Sequence, residues 1–328
     1  MGPTFLPAIL IAAQSPIVWV GFVVLILVVL ALDLGVFNRN PHVVESKEAI
    51  VWTCVWIGLA AAFAVFVWYD MGAEKGIEFI TGFVIEKSLS VDNLFVMVLV
   101  FTSFGIPRMY QHRVLFWGIL GALVSRGLMI FLGVQLIERF HFVIYAFGAF
   151  LLFTGIRMVV QRGDKPDPRK NLVLRIFKRF VRTTDTIEGK HFLTRNSSGR
   201  TAATPLMVAL VVVEAMDIVF AVDSIPAIFA VTTDPFIVFT SNIFAILGLR
   251  SLYFLLADVV ERFVHLEIGL SVILAYVGVK MLLSDVAPIP TLISLGVILA
   301  ILAITIVTSI IANRRRERRE AAAHSGND

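Results

Sequence analysis

Cysteine is almost absent from this chain of 328 residues, with Cys54 its only representative. That excludes an internal disulfide and every metal or cluster site built from several thiolates. Charge is scarce as well: Asp, Glu, Lys and Arg make up 16% of the residues, where a soluble domain carries about 25%. None of the six His falls inside a long apolar run, so haem-type ligation within such a run is excluded. The chain has no His-Glu-x-x-His and no Gly-x-Ser-x-Gly stretch, and no nucleotide-binding motif. It is therefore not expected to be an enzyme, and drive by ATP would need a separate protein. No basic stretch precedes the first apolar run, and residues 1–14 are already apolar, so a cleaved signal peptide is not expected there.

What is abundant is apolar: 58% of the residues, among them 27 Phe. Disorder and an ordinary soluble enzyme are both excluded by that balance. A helix needs about 20 mostly apolar residues to cross a bilayer. Nine segments qualify, at about 17–37, 49–68, 77–101, 114–136, 142–160, 205–231, 236–259, 268–283 and 292–311. The expected fold is thus an all-α polytopic membrane protein with about nine transmembrane helices, forming one membrane domain over residues 1–328.

The net charge of +4 is unevenly spread. With nine spans and an outer N-terminus, 22 of the 28 Lys and Arg fall on the inner side and three on the outer, and Lys87, Arg126 and Arg250 lie within spans. Because Lys and Arg concentrate on the cytoplasmic face, the C-terminus is expected inside, in a cell inner or plasma membrane. The partner implied is the lipid bilayer rather than nucleic acid. Residues 161–200 form the one sizeable polar segment. Within it, 170–182 reads as a basic amphipathic helix at the interface, attracted to anionic lipid or docking a partner. The segment 292–328 supplies a last helix and a basic tail.

Two stretches repeat. Glu86-Lys87-Ser88-Leu89-Ser90-Val91-Asp92-Asn93-Leu94 matches Asp217-Ile218-Val219-Phe220-Ala221-Val222-Asp223-Ser224-Ile225: an acid, four residues, Val-Asp, Asn or Ser, then Leu or Ile. Each is followed one span later by an embedded arginine, Arg126 or Arg250. Units at about 77–160 and 205–283 therefore read as an inverted three-helix repeat, a pattern of secondary transporters with a midplane site.

Ionisable groups inside a bilayer are expensive and mark pairing or function. Six embedded acids (Asp33, Glu86, Asp92, Glu214, Asp217, Asp223) face three embedded bases. Some acids must then hold protons or a cation. Glu214 and Asp217 share a helix face, as do Glu86, Ser90 and Asn93. Asp92 stands six residues after Glu86, and Asp223 six after Asp217, about 240° round a straight helix. Interrupted helices would let each pair meet, and Pro226 is the candidate for opening the second. Carboxylates with Ser90, Asn93, Ser224 and Asn242 form an oxygen-rich set suited to Mn²⁺, Ca²⁺ or Mg²⁺. Arg126 and Arg250 read as counter-ions, Lys87 as a counter-ion or a snorkelling side chain, and Asp33 as a supporting acid or an interfacial residue.

At these residues the sequence resembles the TerC family. The stretches around Glu86–Asp92 and Glu214–Asp223, together with Ser241-Asn242 and Leu249-Arg250-Ser251-Leu252-Tyr253, match its signature pattern. The resemblance implies Mn²⁺ efflux from the cytoplasm, with Glu86, Asp92, Asp217 and Asp223 at the ion site. It also brings an association with tellurite resistance, which fits an indirect effect through metal balance. The alternative is a membrane scaffold that delivers Mn²⁺ to secreted proteins, with a secretory-pathway partner. Protons as counter-ion and a homo-oligomer are both compatible with the sequence.

Overall fold

Lipid offers no hydrogen bonds to a backbone, so apolar runs of this length must close their own as helices. That holds throughout the computed structural model, which describes residues 16–32, 46–140, 142–160, 172–184, 187, 189–195, 201–256 and 266–325. In chain order the helices are α1 (Pro16–Leu32), α2 (Ser46–Met71), α3 (Ala73–Ser103), α4 (Arg108–Arg139), α5 (Phe142–Val160), α6 (Leu172–Phe180), α7 (Pro205–Phe229), α8 (Pro235–Leu247), α9 (Leu249–Leu256), α10 (Leu266–Leu282) and α11 (Thr291–Ser325). Between α6 and α7, β1 (Leu193–Arg195) and β2 (Thr201–Ala203) form an antiparallel pair, which the sequence did not announce.

Six of the described helices are long and apolar enough to cross a membrane, α8 and α9 counting as one apolar stretch. The chain is an all-α integral membrane protein. The expected nine spans exceed that number for two physical reasons. Helices α1 and α10 have 17 residues each. Helix α3 has ample length, 31 residues, but carries Glu78, Glu86, Lys87 and Asp92.

Helix α8 sits at the centre, with nearly every side chain from Phe236 to Leu247 buried. It packs on α3 and α4, α7 lies against both α3 and α4, and α2 leans on α3. The pair α5–α10 makes the most extensive contact, and small residues permit their close packing. A Cβ on Gly278 would lie 2.7 Å from the Gly148 carbonyl oxygen, and one on Gly155 2.7 Å from that of Ser271. Val24, Val65, Phe153 and Ile304 on the outer helices stay exposed, as lipid-facing side chains do.

Two expectations about helix breaks are corrected. Helices α3 and α7, which carry the repeated acids, are unbroken. The α3 hydroxyls satisfy themselves on their own helix: Ser88 Oγ donates to the Val84 carbonyl and Ser90 Oγ to that of Glu86. Pro226 lies in the last turn of α7, where its missing N–H removes one ladder bond without ending the helix. The interruption falls at Gly248, inside what the sequence presents as one span, 236–259. Lys87 explains its form. Its Nζ donates to the Ala245 carbonyl at 3.1 Å, at the end of α8 where carbonyls lack helical partners and carry negative partial charge. A Cβ on residue 248 would stand 2.6 Å from that Nζ and 3.3 Å from Trp56 Cβ.

The amphipathic helix expected over 170–182 is found as α6, Leu172–Phe180. Leu174 is buried against the bundle, while Arg175, Lys178 and Arg179 are exposed.

Candidate functional site: a buried arginine between two carboxylates

Three helices bring one charge each to the interior. Helix α4 carries Arg126, which is 1% exposed. Its Nε and Nη2 donate to the two carboxylate oxygens of Asp217 on α7, at 3.2 and 2.8 Å. Its Nη1 donates to Glu86 Oε1 on α3 and to Asn242 Oδ1 on α8 at 3.2 Å, with Ser224 Oγ on α7 at 3.5 Å. The planar fork of arginine suits a two-pronged carboxylate contact. A burial this deep is tolerable for Arg126 because it is paired, but its single charge offsets only one of the two carboxylates.

The accounting leaves two polar atoms over. Among the described residues, Glu86 Oε2 and Asn242 Nδ2 are buried without a hydrogen-bond partner, where such atoms normally find one. Glu86 also borders a cavity of about 280 Å³ among α3, α5, α7 and α10. Glu86, Leu89 and Asn93 line it from α3, Phe220, Asp223 and Ser224 from α7, and Thr154, Arg157 and Met158 from α5. Each set follows the three-to-four-residue spacing of one helix face. Thr154 Oγ1 lies 3.4 Å from Asp223 Oδ1, donating a long hydrogen bond. Asn93 and Phe220 also border a small adjoining void with Asp217 and Met216.

The predicted residues thus separate into groups. Glu86, Asn93, Asp223 and Ser224 share one cavity, and Asp217, Arg126 and Asn242 adjoin it through the ion-pair network. Glu214 faces α4, as Asp217 does, but lies beyond the network. It is half-buried against Gly121, where a Cβ would collide with its carboxylate. Ser90 is not among the residues lining the cavity, and its hydroxyl donates to the Glu86 carbonyl on its own helix. Lys87, read as a counter-ion or a snorkelling side chain, donates to the Ala245 carbonyl at the end of α8. Arg250 is buried at the start of α9. Asp33 and the Asp92 side chain lie outside the described residues. Among the described residues, no three of His, Cys, Asp and Glu group as a metal cluster.

Thr154 and Arg157 were missed. Both fall in the expected fifth span, but Arg157, near its end, reads from sequence as part of the basic loop. The signal available was the spacing Thr154-x-x-Arg157, which puts both on one face of α5.

Outside the cavity, Lys75 Nζ bonds Glu78 Oε2 at 2.8 Å and lies 3.5 Å from Asp234 Oδ2. Asp234 also caps α8 through the Phe236 and Ile237 N–H groups. This charge cluster joins the start of α3 to the start of α8.

Fold and site together define a multi-pass helical membrane protein with a carboxylate–guanidinium network beside a half-open cavity. The chain belongs to the integral membrane protein TerC family, whose sequence profile matches residues 71–317. It is 52% identical over 309 residues to the "Uncharacterized membrane protein STKORF319" of Myxococcus xanthus, covering 94% of this chain and 97% of that one. It is 47% identical over 313 residues to the "Putative membrane-bound redox modulator Alx" of Escherichia coli strain K12, covering 93% and 97%. The Salmonella typhi protein of the same description is 46% identical over 314 residues, covering 93% and 97%. No solved structure matches the chain.

Proposed function

We propose that the protein is a secondary transporter exporting a divalent cation, Mn²⁺, from the cytoplasm through the Glu86–Asp223 cavity. One observation carries the proposal. Glu86 is buried with one carboxylate oxygen that has no hydrogen-bond partner among the described residues, and it lines a cavity shared with Asp223, Asn93 and Ser224. An uncompensated carboxylate in that setting is costly unless a proton or cation joins it. The oxygen ligands suit a hard or borderline cation. Glu86, Asn93 and Asp223 supply the first ligands, with Asp217 and Glu214 next along the path. Asp92 is retained from the repeat pattern, and Asp33 as a supporting acid. The two units, 77–160 and 205–283, act as an inverted repeat that rocks about the site. Protons returning on the same acids balance the charge. No covalent chemistry is involved.

Uptake of radioactive Mn²⁺ into inside-out vesicles is the test. Wild type should accumulate the ion, and a Glu86→Gln, Asp223→Asn double variant of equal abundance should not. Equal accumulation in both rules the proposal out.

The redox description of the Alx relatives is compatible with manganese control acting on cellular redox state. A direct thiol couple within one chain has only Cys54 to draw on. The rival function is a scaffold that delivers Mn²⁺ to secreted proteins. It predicts copurification with secretory components and no flux in purified liposomes.

A further inference from the structure

We infer that Arg126 is a tethered counter-ion that the transported cation displaces from Glu86, with Asp217 as its anchor. The inference rests on the transport proposal above and concerns how the same site loads and releases.

The guanidinium has two unlike edges. The Nε–Nη2 edge is held by both oxygens of Asp217. The Nη1 end faces three acceptors: Glu86 Oε1, Asn242 Oδ1 at 3.2 Å and Ser224 Oγ at 3.5 Å. Nη1 has only two hydrogens to offer, so this end is over-subscribed. If Glu86 turns away, Asn242 and Ser224 remain to accept, and no buried donor is orphaned. The usual penalty for breaking a buried arginine–carboxylate contact, an unpaired donor in a dry interior, is thereby removed at this one end. Glu86 already lines the cavity that Asp223 lines. A rotation of the Glu86 side chain exchanges its guanidinium contact for a cation held between Glu86 and Asp223. Arg126 stays on Asp217 while the cation sits between Glu86 and Asp223.

The consequence is a competition. Arg126 and the cation share one carboxylate, so each weakens the other's hold. The tethered charge restores the closed network when the cation leaves. That favours release and limits affinity.

The test measures Mn²⁺ affinity of the purified full chain in detergent by titration calorimetry, together with export from liposomes. Arg126→Gln removes the competitor. Binding should tighten by about tenfold, the equivalent of about 1.4 kcal/mol, while export slows because release is impaired. Unchanged or weaker binding overturns the inference, since a merely structural role for Arg126 gives no gain in affinity. Where Arg126→Gln does not fold, Arg126→Lys serves, because one ammonium cannot hold both carboxylates as the fork does. Tighter binding than wild type is then expected, and equal or weaker binding is again fatal. If wild type itself binds none of Mn²⁺, Mg²⁺ and Ca²⁺, the transport proposal fails and takes this inference with it. If wild type binds and the arginine variants do so no more tightly, only the inference fails.

Discussion

A single side chain, Arg126, settles how two buried acids, Glu86 and Asp217, are tolerated around it. Removing one partner of a buried ion pair costs about 3–5 kcal/mol, because the other charge is left uncompensated. Asp217→Ala should therefore lower stability by about that amount, read as a fall in melting temperature in detergent. Glu86→Gln should cost less, because Nη1 keeps Asn242 and Ser224 as acceptors. Equal losses for the two variants would show that the two ends of the guanidinium are not distinct. Lys75 gives a pH-dependent prediction at the same scale. Burial works against its charge, but the Glu78 and Asp234 carboxylates outweigh it, and its pKa is raised above the ordinary 10.5. A raised lysine pKa means stability present below that ordinary value and lost as pH rises through the folded-state value. The side chain is 31% exposed, so solvent screening keeps the effect modest. Lys75→Met should be less stable than wild type at pH 8. The gap should close on the alkaline side of about pH 10.5.

Among the helices, close approach governs. Helix α5 meets α10 at Gly148, Gly155 and Gly278, where backbone lies within 3.0 Å of where a side chain would begin. Gly278→Val must push the pair apart, and overpacking of this kind costs about 1–3 kcal/mol. Gly58→Ala on α2 is the matched control, since nothing lies within 4 Å of the added methyl. It should be neutral or stabilise by up to about 1 kcal/mol, because alanine is the better helix former. Melting curves of the two variants check both. The break at Gly248 follows the same logic. Its backbone has φ −79, which any residue can adopt, so glycine is needed there for the space that Lys87 and Trp56 occupy.

For the molecule as a whole, the charge distribution decides orientation. A fluorescent protein fused after residue 328 should fluoresce, and alkaline phosphatase fused there should stay inactive, if the C-terminus is cytoplasmic. The reverse pattern would turn the transport direction around. The basic loop then shares the cytoplasmic side, and α6 lays exposed Arg175, Lys178 and Arg179 beside the bundle.

Much of this was legible in the chain alone. Apolar run length made α2, α4, α5, α7 and α11 readable, because a backbone in lipid has no alternative to the helix. The surplus of embedded acids singled out Glu86, Asp217 and Asp223, which the fold places around Arg126 and the cavity, because each is costly to bury. Helical spacing correctly put Glu214 and Asp217 toward one neighbour, α4. What spacing could not supply was which neighbour answered which charge. Arg126 joined Glu86 and Asp217 across 40 and 91 positions, while Lys87, beside Glu86 in sequence, turned to the end of α8. The helix break moved from the acid-bearing helices to Gly248 for the same reason. Local sequence sets a residue's type and its face on a helix. Its partners are set by how the helices pack, and packing belongs to the folded chain.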